Sequence, residues 1–339
     1  MRNINVLIAG CTGYIGIQLI KLLINHKNVK IKYLCGNSSV GKKVNFFDNA
    51  IKKKLPKIIK FKKKLLKDVD VVFTALPNGE AQDISKHLIK KNILIDLSAD
   101  FRLKKPQDYL KWYKQKHKAI KYISQSIYAL PELTRNKIKK FKIISCPGCY
   151  PTSILIPIIP ILKNKMISEK NIIIDSKSGY SGAGRGVHQK FKNKNLYESL
   201  SAYGVGFHRH NSEIHQELKN HTSSKINFTF TPHIIPMFRG ILSTIYLDLK
   251  PGTTLNNVQN ILKKFHKKNK FVKIKKVNSF LSTNDVMNTN YCFISACKTK
   301  YKNKIVILSV IDNLIKGGAG QAIQNMNLKF SYKISEGLL

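Results

Sequence analysis

The chain has 339 residues, 60 of them Lys or Arg against 18 Asp or Glu, for a formal charge of +42. With 43% apolar residues, 19 Gly and 11 Pro, it can bury a large core and is neither collagen-like nor a linker. Its longest apolar runs, such as residues 154–162, fall far short of the roughly 20 a membrane helix needs. Six cysteines are too few for a disulfide scaffold and no secretory signal is expected, so a cytoplasmic protein of two globular domains is anticipated, with no membrane partner.

In chain order, residues 6–9 read as a buried strand, 10–16 as a turn and 15–23 as an amphipathic helix. A second strand follows over 31–35, then a lysine-rich stretch, 52–67, that reads as an exposed excursion. Strand 69–76, helix 80–91, strand 93–97 and a short strand 143–145 continue the alternation. This succession implies an α/β fold with a Rossmann-like, doubly wound parallel sheet. Past residue 150, longer strands are predicted over 172–178, 226–235, 241–249, 271–277 and 305–310, with helices over 212–220 and 255–267. That pattern suits an α+β domain with a largely antiparallel sheet. A last helix, 317–328, is expected to pack back on the first domain. The anticipated organisation is a first domain over 1–148, completed by 313–339, and a second over 149–312.

Gly10-Cys-Thr-Gly13-Tyr-Ile-Gly16 joins the first strand to the first helix. Glycines so spaced permit a tight turn and close approach of backbone to a pyrophosphate, which the free N–H groups of the helix start would hold. The spacing is GxxGxxG, and the strand before it and helix behind it make it a dinucleotide signal. Expected contacts are Gly10, Thr12, Gly13, Tyr14, Ile15 and Gly16. An NAD site would place an acid about twenty residues on, to hold the ribose 2′-hydroxyl. No Asp or Glu occurs between Gly10 and Phe47. Ser38, Ser39 and Lys42 follow the second strand instead and suit a 2′-phosphate, so NADP(H) is the expected cofactor and the first domain its site.

Ser145-Cys146-Pro147-Gly148-Cys149-Tyr150-Pro151-Thr152 leads from a strand into a helical run. Pro151 suits a first turn, which sets Cys149 at a helix N-terminus, where the positive dipole end favours the nucleophilic thiolate. The two cysteines also allow a redox CxxC reading, but the surroundings are not thioredoxin-like. Cys292 and Cys297 supply no second CxxC for zinc, so no metal is expected. Pro157 and Pro160 imply that the helix is short or kinked. The densest polar cluster is His208-Arg-His210-Asn-Ser-Glu213. A histidine can activate a cysteine and move protons near neutral pH, and Glu213, three residues on, is near enough to orient His210.

Of the basic residues 54 are lysines, nine of them between Lys52 and Lys67 and eight between Lys263 and Lys276. Nucleic-acid readers favour arginine forks, so these runs read as solvated faces and no specific nucleic-acid partner is expected. A basic Rossmann-like nucleic-acid-binding protein is the competing reading from another class. The six arginines are informative by scarcity. Arg102, Arg185, Arg209 and Arg239 stand close to Gly, His or Asp, and a guanidinium grips a carboxylate or phosphate through two parallel bonds. As a set they point to an anionic small molecule.

Nine strings then occur in order: 10–16; Asp70-Val-Val-Phe-Thr-Ala-Leu-Pro77; Ile95-Asp-Leu-Ser-Ala-Asp-Phe-Arg102; Tyr128-Ala-Leu-Pro-Glu-Leu133; Pro147-Gly-Cys-Tyr-Pro-Thr152; Ser178-Gly-Tyr-Ser-Gly-Ala-Gly-Arg185; His208-Arg-His-Asn-Ser-Glu-Ile214; residues 230–240; and Asn313-Leu-Ile-Lys-Gly-Gly-Ala-Gly-Gln321. Over nearly its whole length the chain resembles the N-acetyl-gamma-glutamyl-phosphate reductases, NADP-dependent enzymes of arginine biosynthesis in the semialdehyde dehydrogenase superfamily. It departs from their pattern at Asn78, often histidine, at Cys146, commonly asparagine, and at Asn211-Ser212, usually a Thr-Pro-like pair.

The resemblance implies that Cys149 attacks an acyl phosphate, releases inorganic phosphate and forms a thioacyl-enzyme that NADPH reduces to the aldehyde. It implies His210 as acid/base with His208 as runner-up, and Arg102, Arg209 and Arg239 as ligands of phosphate and the substrate α-carboxylate. Ser178, Gly179, Asn313 and Lys316 fall at the nicotinamide end of the cofactor, and backbone N–H groups near Cys149 hold the developing oxyanion. A homodimer or homotetramer is implied too. Sibling reductases acting on aspartyl or aminoadipyl phosphate are the alternative within the fold.

Overall fold

The structure, a computed structural model, describes residues 2–185 and 198–339. The chain forms two compact units, Met1–Pro147 with Gly318–Leu339, and Gly148–Gly317.

The first unit is built on seven parallel strands: β1 (Ile4–Ala9), β2 (Val29–Cys35), β3 (Ile58–Ile59), β4 (Val71–Thr74), β5 (Ile93–Asp96), β6 (Ser126–Tyr128) and β7 (Ile143–Ser145). Their order is β3-β2-β1-β4-β5-β7-β6. Central strands are continuous Ile/Val/Leu runs because both faces are covered, and Val6, Leu7 and Ile8 are wholly buried. Since β2 lies on one side of β1 and β4 on the other, the carboxyl end of β1 is the switch point, where open α/β sheets bind ligands. Helix α1 (Tyr14–Leu23) starts there and turns Ile17, Leu19, Ile20 and Leu23 inward.

The lysine-rich stretch is not a mere excursion. It contributes β3, pairs with β2, and buries Ile58, Leu65 and Leu66 between its lysines. Helix α2 (Glu80–Ser85) is much shorter than its apolar spacing predicts. Asp100 caps its start, accepting N–H bonds from Gly79 at 2.7 Å and Gln82 at 3.2 Å. Helices α3 (Pro106–Tyr113) and α4 (Pro131–Thr134) both open on proline, as first turns allow. The C-terminal helix, Gly320–Phe330, belongs to this unit, where Asn325 donates to the Ala129 carbonyl and Asn327 pairs with His26 at 2.9 Å.

The second unit carries β8 (Ile172–Gly179), β9 (Ser201–Ala202), β10 (Phe228–Ile235), β11 (Ile241–Asp248), β12 (Val272–Ile274), β13 (Cys292–Lys298) and β14 (Lys304–Ile311), in the order β12-β13-β14-β11-β8-β10-β9. The sheet is mixed: β8 and β10 run parallel, as do β12 and β13, while the other neighbours are antiparallel. Helices α5 (Cys149–Lys163), α6 (His210–Lys219) and α7 (Leu255–His266) complete it.

Helix α5 is neither short nor interrupted, and the reason is tertiary. Pro160 removes the N–H that the Ile156 carbonyl would accept, and the buried His266 of α7 donates Nε2–H to that carbonyl at 3.1 Å instead. Three buried hydroxyls bind α5 to the sheet. Ser176 and Ser243 are 2.7 Å apart, Ser243 and Ser153 likewise 2.7 Å, and Ser153 donates to the Tyr150 carbonyl at 2.9 Å. No helix among the described residues is long and apolar enough to cross a membrane.

Candidate active site

Gly148 precedes α5 in extended conformation, so Cys149 is the first helical residue, placed there as the sequence predicts. A small cavity of about 80 Å³ is lined by Cys149, Ser178, Gly179, His208, Arg209 and His210, together with Tyr150 and Tyr203. Six residues singled out from sequence, drawn from three separate segments, therefore share one cavity. Glu213 lies behind it, fully buried at the start of α6. Its Oε2 accepts the Gly148 N–H at 2.9 Å and its Oε1 is 3.8 Å from His210 Nε2, so one carboxylate ties the chain before the thiol to the imidazole.

The two histidines are not equivalent. His208 Nδ1 accepts the backbone N–H of His210 at 3.1 Å, and its ring meets Tyr150, Tyr203 and Phe230 edge-on. Burial, and then the Arg209 cation, push its pKa down to about 4. It is thus a neutral imidazole at pH 7. Tyr203, which the sequence does not flag, donates its hydroxyl to Tyr150 at 3.1 Å, and Tyr150 donates to the His233 carbonyl. Burial raises the pKa of both phenols, so they stay protonated donors.

Other predicted residues are engaged near the cavity. Asn313 accepts the Gly240 N–H at 2.7 Å and donates to Ser181 at 3.0 Å, fixing the loop after β8. Arg239 pairs with the buried Asp312 at 3.2 Å, Lys316 is fully buried, and Arg185 is exposed.

In the first unit, Arg102 is buried and its Nε donates to the Cys146 carbonyl at 2.8 Å. Cys146 itself is wholly buried, accepts from Asn325, and burial pushes its thiol up to about 12. Burial thus disfavours the thiolate form that a redox partner of Cys149 would need.

The glycine loop fits a pyrophosphate. Gly10 holds φ +82°, and a β-carbon on it would fall 2.1 Å from the Ala75 carbonyl oxygen. Over Gly13 there is room, the Gly10 oxygen at 3.7 Å being the nearest atom such a carbon would meet. Thr12, Gly13, Tyr14 and Ile15 are half-buried, Gly16 is buried, and the start of α1 carries neither a side-chain cap nor an acid. Beside the loop a cleft of about 320 Å³ is lined by Gly10, Gly36, Asn37, Lys60 and Glu80 among others. Ser38 is exposed, Ser39 buried, and the Lys42 ammonium lies over the Phe46 ring at 4.7 Å; none lines the cleft. Lys60 does. The sequence concealed it inside a lysine run, and only the pairing of β3 with β2 brings it there. Among the described residues no cluster of His, Cys, Asp or Glu could hold a metal ion.

Comparison with known proteins gives the class first. Residues 5–141 match the semialdehyde dehydrogenase NAD binding domain and 149–313 the semialdehyde dehydrogenase dimerisation domain. The structure superposes on aspartate semialdehyde dehydrogenase II from Vibrio cholerae with a TM-score of 0.71 at 17% identity, covering 98% of this chain and 99% of that one. It also superposes on the Candida albicans aspartate semialdehyde dehydrogenase with NADP, with a TM-score of 0.70 at 17% identity over 98% and 99%. These likenesses define the semialdehyde dehydrogenase fold. In sequence the chain is 41% identical to the N-acetyl-gamma-glutamyl-phosphate reductase of Brachyspira hyodysenteriae, over 99% of this chain and 98% of that one. It is 39% identical to a probable chloroplastic N-acetyl-gamma-glutamyl-phosphate reductase of Arabidopsis thaliana, over 100% and 84%. The chain belongs to the N-acetyl-gamma-glutamyl-phosphate reductase family.

Proposed function

We propose that this protein reduces N-acetyl-L-glutamyl 5-phosphate to N-acetyl-L-glutamate 5-semialdehyde and inorganic phosphate, the NADP-dependent reductase step of arginine biosynthesis, with Cys149 as nucleophile. The observation that carries the reading is the cavity in which Cys149, at the start of α5, meets His210 and Arg209.

The sulfur attacks the acyl carbon, the C–S bond forms, and the C–O bond to phosphate breaks with its electron pair leaving on phosphate. NADPH, when bound, supplies the hydride that takes the resulting thioester to the aldehyde, the sulfur departing as thiolate. The first-turn N–H groups of α5 are suited to the oxygen that gains charge in each step. We assign to His210 the proton exchanged with the reacting oxygen, and Glu213 behind it to its orientation. His208, neutral and already accepting from the His210 backbone, is suited to position rather than to transfer protons. Of the three arginines proposed for the substrate anions, Arg209 is the one lining the cavity; Arg102 and Arg239 also bind protein oxygens.

For the cofactor, the 10–16 loop and the start of α1 are assigned to the pyrophosphate, and Ser38, Ser39 and Lys42, joined now by Lys60, to the 2′-phosphate. Ser178, Gly179, Asn313 and Lys316 are assigned to the nicotinamide end. We further infer a cytoplasmic homo-oligomer. The oligomer rests on the match of 149–313 to a dimerisation domain and on apolar side chains exposed on the second sheet, Ile173 at 48% and Tyr246 at 44%.

The test is phosphate-dependent reduction of NADP⁺ by the purified protein with three semialdehydes. N-acetylglutamate semialdehyde should turn over fastest; a preference for aspartate semialdehyde would overturn the substrate. Cys149→Ser should abolish turnover while NADPH binding is unchanged, and retained activity would remove the nucleophile.

A further inference from the structure

The segment after β14 makes a π-helical turn, Ile315–Ala319, in which the Gly317 N–H reaches back to the Asp312 carbonyl at 3.0 Å. Such wide turns are uncommon and concentrate at functional sites. This one presses on the thiol-bearing residue. A β-carbon on Gly317 would lie 2.7 Å from Cys149 Cβ and 3.1 Å from its Cα. The turn is held by one fully buried carboxylate. Asp312 Oδ1 accepts the N–H groups of Leu314 at 2.9 Å and Ile315 at 3.2 Å. Its Oδ2 accepts the Asn288 N–H at 2.9 Å and Arg239 Nη1 at 3.2 Å, and the same guanidinium nitrogen also donates to the Asn288 side chain.

A buried carboxylate keeps its place only when its oxygens are satisfied, and a charged donor is the strongest such partner. Dipole stabilisation of a thiolate falls away beyond the first turn of a helix, so the direction of Cys149 Sγ decides how much it receives. We propose that Arg239 is a positioning residue for the nucleophile. Through Asp312 it fixes the π-turn, and the turn, with hydrogen in place of a side chain at Gly317, fixes Cys149. This rests on the reading of Cys149 as nucleophile and gives Arg239 a task that needs no substrate.

The test is therefore made without substrate. Alkylation of Cys149 by iodoacetamide, followed by peptide mass across a pH series, reads thiol placement with no turnover. Arg239→Gln, Asp312→Asn and Gly317→Ala are each expected to slow it about ten-fold and to lower kcat, with KM for aldehyde and phosphate little changed. Arg239→Lys should restore part of the rate. A substrate-free alkylation rate equal to wild type in Arg239→Gln, with KM raised, would overturn the proposal and leave Arg239 an anion ligand. If loss of the buried charge pair prevents folding, Gly317→Ala decides alone, since it disturbs no charge: wild-type alkylation there overturns the proposal. Activity surviving Cys149→Ser would instead strike the nucleophile reading, a separate outcome.

Discussion

The imidazole of His210 occupies the space a side chain on Gly148 would need. A β-carbon there would fall 2.4 Å from Nε2 and 2.7 Å from Cε1. Gly148 also donates its N–H to Glu213, the carboxylate beside that ring. Gly148→Ala should therefore displace the imidazole without altering a single polar group. A misplaced general acid–base costs about 10²–10⁴ in rate. We expect kcat to fall toward the lower end of that range with KM little changed, and the variant to add little to the loss from His210→Ala. Steady-state kinetics of both single variants and the double variant check this; additive losses would deny that the two act as one unit.

His208 gives a stability prediction with a definite sign. Its folded pKa lies near 4 against an ordinary 6.5, so between those values the unfolded chain binds a proton that the folded one refuses. Stability conferred by the neutral ring is complete above pH 6.5 and is lost as pH falls toward 4, by about 3 kcal/mol at most. His208→Asn keeps an acceptor for the His210 N–H and removes the titration. Melting temperature measured from pH 7 to 4 should decline less steeply in the variant. Burial also lowers the pKa of His26 and His117, but these act in both proteins and cancel in the difference.

Among the described residues, Lys60 is the one lysine or arginine lining the cleft beside the glycine loop. Lys60→Ala should raise KM for NADPH about ten-fold, the worth of one charge-assisted contact, and leave KM for NADH nearly unchanged. Equal effects on the two cofactors would place the 2′-phosphate elsewhere.

The bond from His266 to the Ile156 carbonyl replaces one that Pro160 forbids. His266→Ala leaves a buried carbonyl unpaired and should destabilise by about 1–3 kcal/mol. Pro160→Ala restores the missing N–H, so the double variant should recover part of that loss in a denaturation series. No recovery would show that His266 acts through packing alone.

How much of the fold and the site is legible in the sequence depends on whether a residue meets its partners nearby. The glycine loop, α1 and the position of Cys149 are legible because each depends on neighbours: a strand before, a helix behind, and Gly148 and Pro151 flanking the thiol. The length of α5 is not, since its two inner prolines disfavour a helix locally and a histidine 110 residues on compensates for one of them. Helix α2 reads too long because Leu88 and Ile89 keep the apolar rhythm after the helix has ended. Strand β3 is hidden by its lysines, two isoleucines being too short a pattern to stand out. Second-domain strands show through alternation, but β13, with Ser, Ala and Cys in its middle, offers none. Tyr203 and Asp312 reach the site only through long-range folding, and no spacing rule could have found them.

The hydroxyls of Ser176, Ser243 and Ser153 have one consistent arrangement of their hydrogens. Ser153 is committed to the Tyr150 carbonyl, so Ser243 must donate to Ser153 and Ser176 to Ser243. Alanine at Ser153 would strand the hydrogen of Ser243, and alanine at Ser243 would strand that of Ser176, each at a fully buried position. Divergence at these three sites should therefore be concerted: among distant descendants of this gene, the trio would be kept whole or exchanged together for aliphatic side chains, with mixed sets rare.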